Sequence, residues 1–119
     1  MRDYIHVMDL AEGHLAALVE GIYGDGLGDS DCEAFNLGTG NGSSVLEMLA
    51  AVGKACGKEL PHKILPRRPG DIARCVCKPT KALERLKWKA SRNIEVATKD
   101  GWTWQEKNPQ GFAGEETGA

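Results

Sequence analysis

Apolar positions return at helical spacing through Leu10, Ala17 and Leu18, with His14 on the same face, and the pattern runs to about Tyr23. Ahead of it, Tyr4, Ile5 and Val7 form a short extended piece that can pack. Asp9 and Glu12 place acids in the first turn, where the positive end of a helix favours them. A second amphipathic helix is predicted through Val45, Leu46, Leu49, Val52 and Cys56, capped by Ser43 or Ser44 and ended by Gly57. Residues 81–86 and 93–106 read as two more helices, the latter presenting Ile94, Ala97, Gly101 and Trp104. Short apolar runs at 33–37, leading into Gly38, and at 62–65, closed by Pro66, predict strands. Strands alternating with helices indicate an α/β architecture. Residues 24–31 mix glycine with acids and read as a surface loop, and residues 113–119 as a disordered tail.

Composition narrows this picture. With 119 residues and 41% apolar content the chain can hold one core, but 6% aromatic content and 15 glycines suggest a loop-rich, modestly stabilised body. No apolar run approaches the ~20 residues that span a bilayer, and no cationic leader precedes an apolar stretch. A soluble, cytoplasmic protein without membrane contact is therefore expected. Cys32, Cys56, Cys75 and Cys77 match no zinc-ligand spacing and accompany no export signal, so reduced thiols and no metal site are expected.

Charge is distributed unevenly. Residues 1–47 hold nine acids against one base, whereas residues 63–92 hold ten bases against Asp71 and Glu84. Such a cationic stretch attracts nucleic acid or a phosphorylated small molecule. A solvated face of Lys81, Arg85 and Lys89 explains much of it. Trp88 is the one aromatic there, so no array exists on which bases could stack, which argues against nucleic acid.

Candidate chemistry is sparse. His6 and His14 read as packed or hydrogen-bonded imidazoles rather than bases, since no nucleophile stands on a recognisable elbow. Gly38-Thr39-Gly40-Asn41-Gly42-Ser43 lies between a predicted strand and a helix, where a phosphate-binding loop would stand. Ser43 replaces the third glycine of a dinucleotide fingerprint and the Walker lysine is missing. A tight strand-to-helix turn is the preferred reading, with cofactor binding the alternative. In Pro66-Arg67-Arg68-Pro69-Gly70-Asp71, guanidinium groups suit phosphate and an acid suits vicinal hydroxyls, so diphosphate plus ribose would fit. Two surface arginines flanking a Pro-Gly turn would fit as well.

Five blocks occur together: Arg2-Asp3-Tyr4-Ile5-His6-Val7-Met8-Asp9-Leu10, Asn36-Leu37-Gly38-Thr39-Gly40, Lys54-Ala55-Cys56-Gly57-Lys58, Arg67-Arg68-Pro69-Gly70-Asp71, and Trp102 through Pro109-Gln110-Gly111-Phe112. In this order and approximate spacing the chain resembles the carboxyl-terminal third of the UDP-glucose 4-epimerases. The resemblance implies an NAD-dependent isomerase of the extended short-chain dehydrogenase family that interconverts UDP-glucose and UDP-galactose through a 4-keto intermediate. It implies that residues 1–112 supply the last strand of the Rossmann sheet, at 35–40, and most of the small substrate-binding domain. The chain would be incomplete at its N-terminus, inactive and poorly folded alone.

By the same resemblance, the NAD glycine loop and the catalytic Tyr-x-x-x-Lys pair lie upstream, so no catalytic or cofactor-binding residue is expected in this chain. Arg2 falls on an arginine that contacts the UDP diphosphate, and Arg68 with Asp71 on a second nucleotide-contacting block. Cys75 falls on a position lining the sugar pocket, where a small side chain leaves room for N-acetylated UDP-sugars. Pro69 stands where many members carry Glu, which alters the turn but leaves both charged groups. A homodimer is implied for the intact enzyme. A standalone UDP-sugar-binding module and a basic phosphate-binding or nucleic-acid-binding adaptor are the alternatives.

Overall fold

Four helices are joined by irregular segments in a computed structural model that describes residues 1–24 and 32–112. The expectations for the loop at 25–31 and the tail at 113–119 lie outside the described residues. Helix α1 spans Val7–Tyr23, α2 Val45–Cys56, α3 Thr80–Leu86 and α4 Ile94–Lys107. The local signals explain their ends. Ser44 and Glu47 form a reciprocal capping box at the start of α2, and Gly57 ends it at φ 71°, a left-handed conformation that glycine adopts without penalty. The Asn93 side chain accepts from Val96 N at 3.0 Å and opens α4.

Helix α1 departs from the expected face. It begins at Val7, which is helical and exposed, and its cap is His6, whose Nδ1 accepts from Met8 N at 3.0 Å. The buried positions are Asp9 and Gly13, with Ala16 and Ala17 against the core, while His14 and Leu18 face outward. The reason is packing distance. A Cβ on Gly13 would lie 2.9 Å from Leu37 Cδ1 and 3.1 Å from Trp88 Cε2, so glycine lets the helix axis approach the tryptophan.

That core consists of Ala82, Leu86 and Trp88, with Ile5, Phe35, Leu37 and Ala90 around it. Trp88 spends its polar edge well, donating Nε1 to Asp9 O at 3.1 Å. The Asp9 side chain is fully buried and accepts from Ser91 N (3.1 Å), Arg92 N (2.9 Å) and Arg92 Nη1 (2.5 Å). Arg92 reaches on to Glu12 at 2.9 Å. The first turn of α1 is thus clasped to the segment between α3 and α4, which is more than the helix-end role its position suggests. Elsewhere α2 lies along α4, with Ala51 and Thr98 buried, and Lys58 stands over the Trp102 ring.

The expected strands do not form among the described residues. Residues 33–37 and 62–65 carry no regular structure, and only isolated bridges occur, Arg2 with Ser43 (antiparallel) and Arg2 with Cys75 (parallel). A strand needs a neighbour to take its N–H and C=O groups, and among the described residues no backbone–backbone hydrogen bond joins either stretch to another segment. Among the described residues the α/β expectation is met by helices and by isolated bridges in place of strands. A Cα radius of gyration of 18.1 Å, against about 13.5 Å for a compact chain of this length, describes an open body. Leu15, Leu18 and Ile22 form an uncovered stripe on α1, and Ile64 and Leu65 are likewise exposed.

Candidate functional site

Arg2 is the centre of the site because two segments pair with it. Its backbone N donates to Ser43 O at 2.9 Å, and Ser43 N returns a bond to Arg2 O at 2.8 Å. On the other side Cys75 N donates to Met1 O at 3.1 Å, and the terminal amine of Met1 to Ala73 O at 2.7 Å. The Arg2 guanidinium turns toward that second segment, giving Nη1 to Met1 O (2.8 Å) and Ile72 O (3.0 Å).

Residues 68–71 form a β-turn closed by Asp71 N donating to Arg68 O at 3.2 Å, with Pro69 and Gly70 central and Gly70 at φ 83°. This is the type II arrangement, which proline and glycine favour at those two places. Arg68 forks onto the Asp71 carboxylate, Nε to Oδ2 at 3.2 Å and Nη2 to Oδ1 at 3.3 Å. The Arg68 hydrogen bond, with the charges of Arg68 and Arg2, holds the Asp71 carboxyl below its ordinary range against a smaller opposing effect of burial. Arg68 is 85% exposed, so the pair adds little stability and the guanidinium stays accessible.

Of the four residues singled out from the sequence, Arg2 and Cys75 are paired through the backbone, Asp71 lies in the electrostatic reach of Arg2, and Arg68 joins through Asp71. Arg2 and Cys75, with Asn36, Leu37 and Lys78, line a cleft of about 520 Å³; Arg68 and Asp71 do not line it. Cys75 is exposed there as a free thiol.

Asp3, beside Arg2, was not visible as a site residue in the sequence. Its Oδ1 accepts from Thr39 N (3.0 Å) and Thr39 Oγ1 (2.5 Å), and its Oδ2 from Gly40 N (2.9 Å) and Cys77 N (3.2 Å). Burial alone would raise its pKa; the bonds from the Thr39 hydroxyl and the three backbone N–H groups outweigh that and lower it. Burial, with the Asp3 charge, pushes the Cys77 thiol up. The glycine-rich turn therefore spends its anion-binding N–H groups on the protein's own carboxylate. Within residues 38–43, Thr39 N and Gly40 N are taken by Asp3 and Asn41 N by the Thr39 hydroxyl.

Within the basic stretch, five of the ten cations meet internal partners, Arg68 among them, while Lys63, Arg67, Arg74, Lys78 and Lys89 are exposed. Lys81 and Arg85 meet Glu33 at 2.8 and 3.2 Å, Lys87 Nζ donates to Glu84 O, and Arg92 is taken by Asp9 and Glu12. His6 is buried, and because its Nδ1 accepts, its Nε2 carries the proton toward Asp100 Oδ2 at 3.1 Å; His14 bonds to Leu10 O. No disulfide joins the four cysteines, no metal-ligating cluster occurs among the described residues, and no described helix is long and apolar enough to cross a membrane.

No protein-family profile matches the chain. It is 50% identical over 114 residues to the bifunctional UDP-glucose 4-epimerase and UDP-xylose 4-epimerase 1 of Pisum sativum, covering 96% of this chain and 32% of that protein. It is 48% identical over 116 residues to the UDP-glucose 4-epimerase of Bacillus subtilis, covering 98% of this chain and 33% of that protein. The crystal structure of a Stenotrophomonas maltophila UDP-glucose 4-epimerase with bound NAD and formylated UDP-arabinopyranose superimposes with a TM-score of 0.80 at 38% identity, covering 91% of this chain and 31% of that one. The chain thus spans about a third of the length of the relatives it matches.

Proposed function

We propose that this chain, related over nearly all of its length to a third of the UDP-glucose 4-epimerases, is the carboxyl-terminal, nucleotide-sugar-binding part of such an isomerase. The observation that carries the reading is the convergence of Arg2, Asp71 and Cys75 about one pair of backbone bridges, with Arg68 attached through Asp71. Arg2 and Arg68 take the diphosphate of UDP-glucose or UDP-galactose, Asp71 accepts from ribose hydroxyls, and Cys75 borders the hexose. Guanidinium forks beside a carboxylate suit a ligand that carries phosphates and vicinal hydroxyls together.

NAD, present in the Stenotrophomonas maltophila relative, supplies hydride transfer at the sugar in the intact enzyme and is held mainly outside this chain, in which the turn at 38–43 is filled by Asp3. The chain's own share is to bind and orient the nucleotide sugar. Residues 1–112 form most of the small substrate domain, and residues 35–40 complete a sheet once a neighbouring strand takes their backbone groups. Alone, the chain is inactive. The intact enzyme is a cytoplasmic homodimer, and the small side chain of Cys75 extends its substrates to N-acetylated UDP-sugars.

A chimaera in which this chain replaces the matched third of the Bacillus subtilis enzyme tests the reading. Interconversion of UDP-glucose and UDP-galactose is expected, abolished in a chimaera lacking residues 1–112. A folded, NAD-loaded chimaera that neither binds UDP nor turns over either sugar would overturn it.

A further inference from the structure

We propose that Asp3 is the positioning residue of the nucleotide-sugar site: one carboxylate that grips both segments flanking Arg2 and so sets the Arg2 guanidinium against the carbonyl of Ile72. The inference rests on the epimerase reading and deepens it.

Three segments meet at this carboxylate. The first is the N-terminal one, carrying Arg2 and Asp3; the second is the turn at 38–43; the third runs from 71 to 77. Each neighbour makes little contact with Arg2 through secondary structure, a single isolated bridge apiece. Isolated bridges are weak, and without a ladder they leave a segment free to slide by a residue. Asp3 supplies what the bridges lack. Its Oδ1 holds Thr39 by backbone and hydroxyl, while its Oδ2 takes Gly40 N on one flank and Cys77 N on the other. Arg2 and Asp3 are successive residues whose side chains part company, the guanidinium toward Ile72 O and the carboxylate toward Thr39, Gly40 and Cys77. Fixing the second therefore fixes the first.

Two details favour positioning over a general contribution to folding. Asp3 makes no ion pair with Arg2, whose Nη1 is spent on two carbonyl groups, so Nε and Nη2 have no partner among the described residues and remain for a diphosphate. The fit is also tight. A Cβ on Gly38 would fall 2.4 Å from Cys77 Cβ and 2.8 Å from Asp3 Oδ2, so the two flanking segments are drawn together around the carboxylate.

The test is made in the NAD-loaded holoenzyme carrying the full chain. In Asp3→Asn, the amide keeps one acceptor but turns an NH2 toward Gly40 N or Cys77 N. UDP affinity, by titration calorimetry, and KM for UDP-galactose are expected to weaken about tenfold while kcat stays within about twofold. Loss of active fraction with KM unchanged would mean a merely structural role and overturn the proposal, as would unchanged UDP affinity. Arg2→Ala separates the two levels. If it weakens UDP binding and Asp3→Asn does not, this inference alone fails; if neither does, the reading of the site fails with it. Should Asp3→Asn not fold, Thr39→Val removes one of the four bonds to Asp3, together with the hydroxyl's two bonds to the Asn41 backbone. It is expected to weaken UDP about threefold, and an unchanged value would be decisive against Asp3.

Discussion

Gly38 and Cys77 cross with no room for a side chain on the glycine: a Cβ there would stand 2.4 Å from Cys77 Cβ. Cys77 cannot yield, because its N–H is held by Asp3. Gly38→Ala is therefore expected to cost about 2–3 kcal/mol through overpacking. At Gly13 a Cβ would meet the free end of Leu37 at 2.9 Å and the Trp88 ring at 3.1 Å, a looser fit than at Gly38, and alanine gains about 1 kcal/mol of helix propensity, so Gly13→Ala is expected to cost less than Gly38→Ala. Urea midpoints of the two variants compare them directly, and equal midpoints would contradict the packing described.

Asp9 is expected to govern the acid limit of stability. Burial alone would raise its pKa, but the backbone N–H and guanidinium of Arg92, the Arg92 charge and Ser91 N outweigh that and lower it. A carboxyl depressed in the folded state stabilises fully above its unfolded pKa of about 3.9, and that stabilisation disappears as pH falls through the lower folded value. Stability should thus hold from neutral pH to about 5 and fall below about 4. Asp9→Asn should lose about 2–3 kcal/mol at pH 7 and flatten the acid limb. A limb as steep as the parent's would assign it to other carboxylates.

Arg68→Ala separates the site from the scaffold. The exposed Arg68–Asp71 pair contributes little to stability, so the thermal midpoint should hardly move. A charge-assisted phosphate contact, in contrast, is worth roughly a tenfold to hundredfold change in UDP affinity. Unchanged binding in the holoenzyme would leave Arg68 as an ordinary turn residue.

Cys75→Tyr fills the volume beside Arg2. Turnover of N-acetylated UDP-sugars should fall at least tenfold more than turnover of UDP-galactose, since a clash at the acetyl group leaves the smaller hexose unaffected. Equal retention of both activities would remove Cys75 from the sugar pocket.

Local signals made most of the helices legible. Ser44 and Gly57 bracket α2 and Asn93 opens α4, because caps act over three or four residues of chain; the short α3, which has no side-chain cap, still starts within a residue of its expected place. The face of α1 was misread because its packed positions are an acid and a glycine. Asp9 finds its partners 82 and 83 residues away, and Asp3 finds its own 36 to 74 residues away, distances over which periodicity carries no information. A signal did exist: each acid interrupts the largely apolar run from Tyr4 to Leu10 or borders it, and a charge so placed needs a partner from elsewhere. Trp88, weighed only as a lone aromatic among cations, is the largest side chain of the core. The two strands failed for a different reason, since an apolar stretch describes a surface to be covered and says nothing of what lies beside it.

The clasp between Asp9 and Arg92 also orders events in time. A ribosome delivers the first turn of α1 long before the arginine that neutralises its buried acid, and closing so long a loop carries an entropic cost that local contacts cannot defray in advance. Until Arg92 emerges, Asp9 is better hydrated than buried, and Trp88 has neither its hydrogen-bond acceptor nor the helix it packs on. Helix α1 is thus made early and seated late, so the segment that carries Trp88 and Arg92 is the step on which its tertiary order depends.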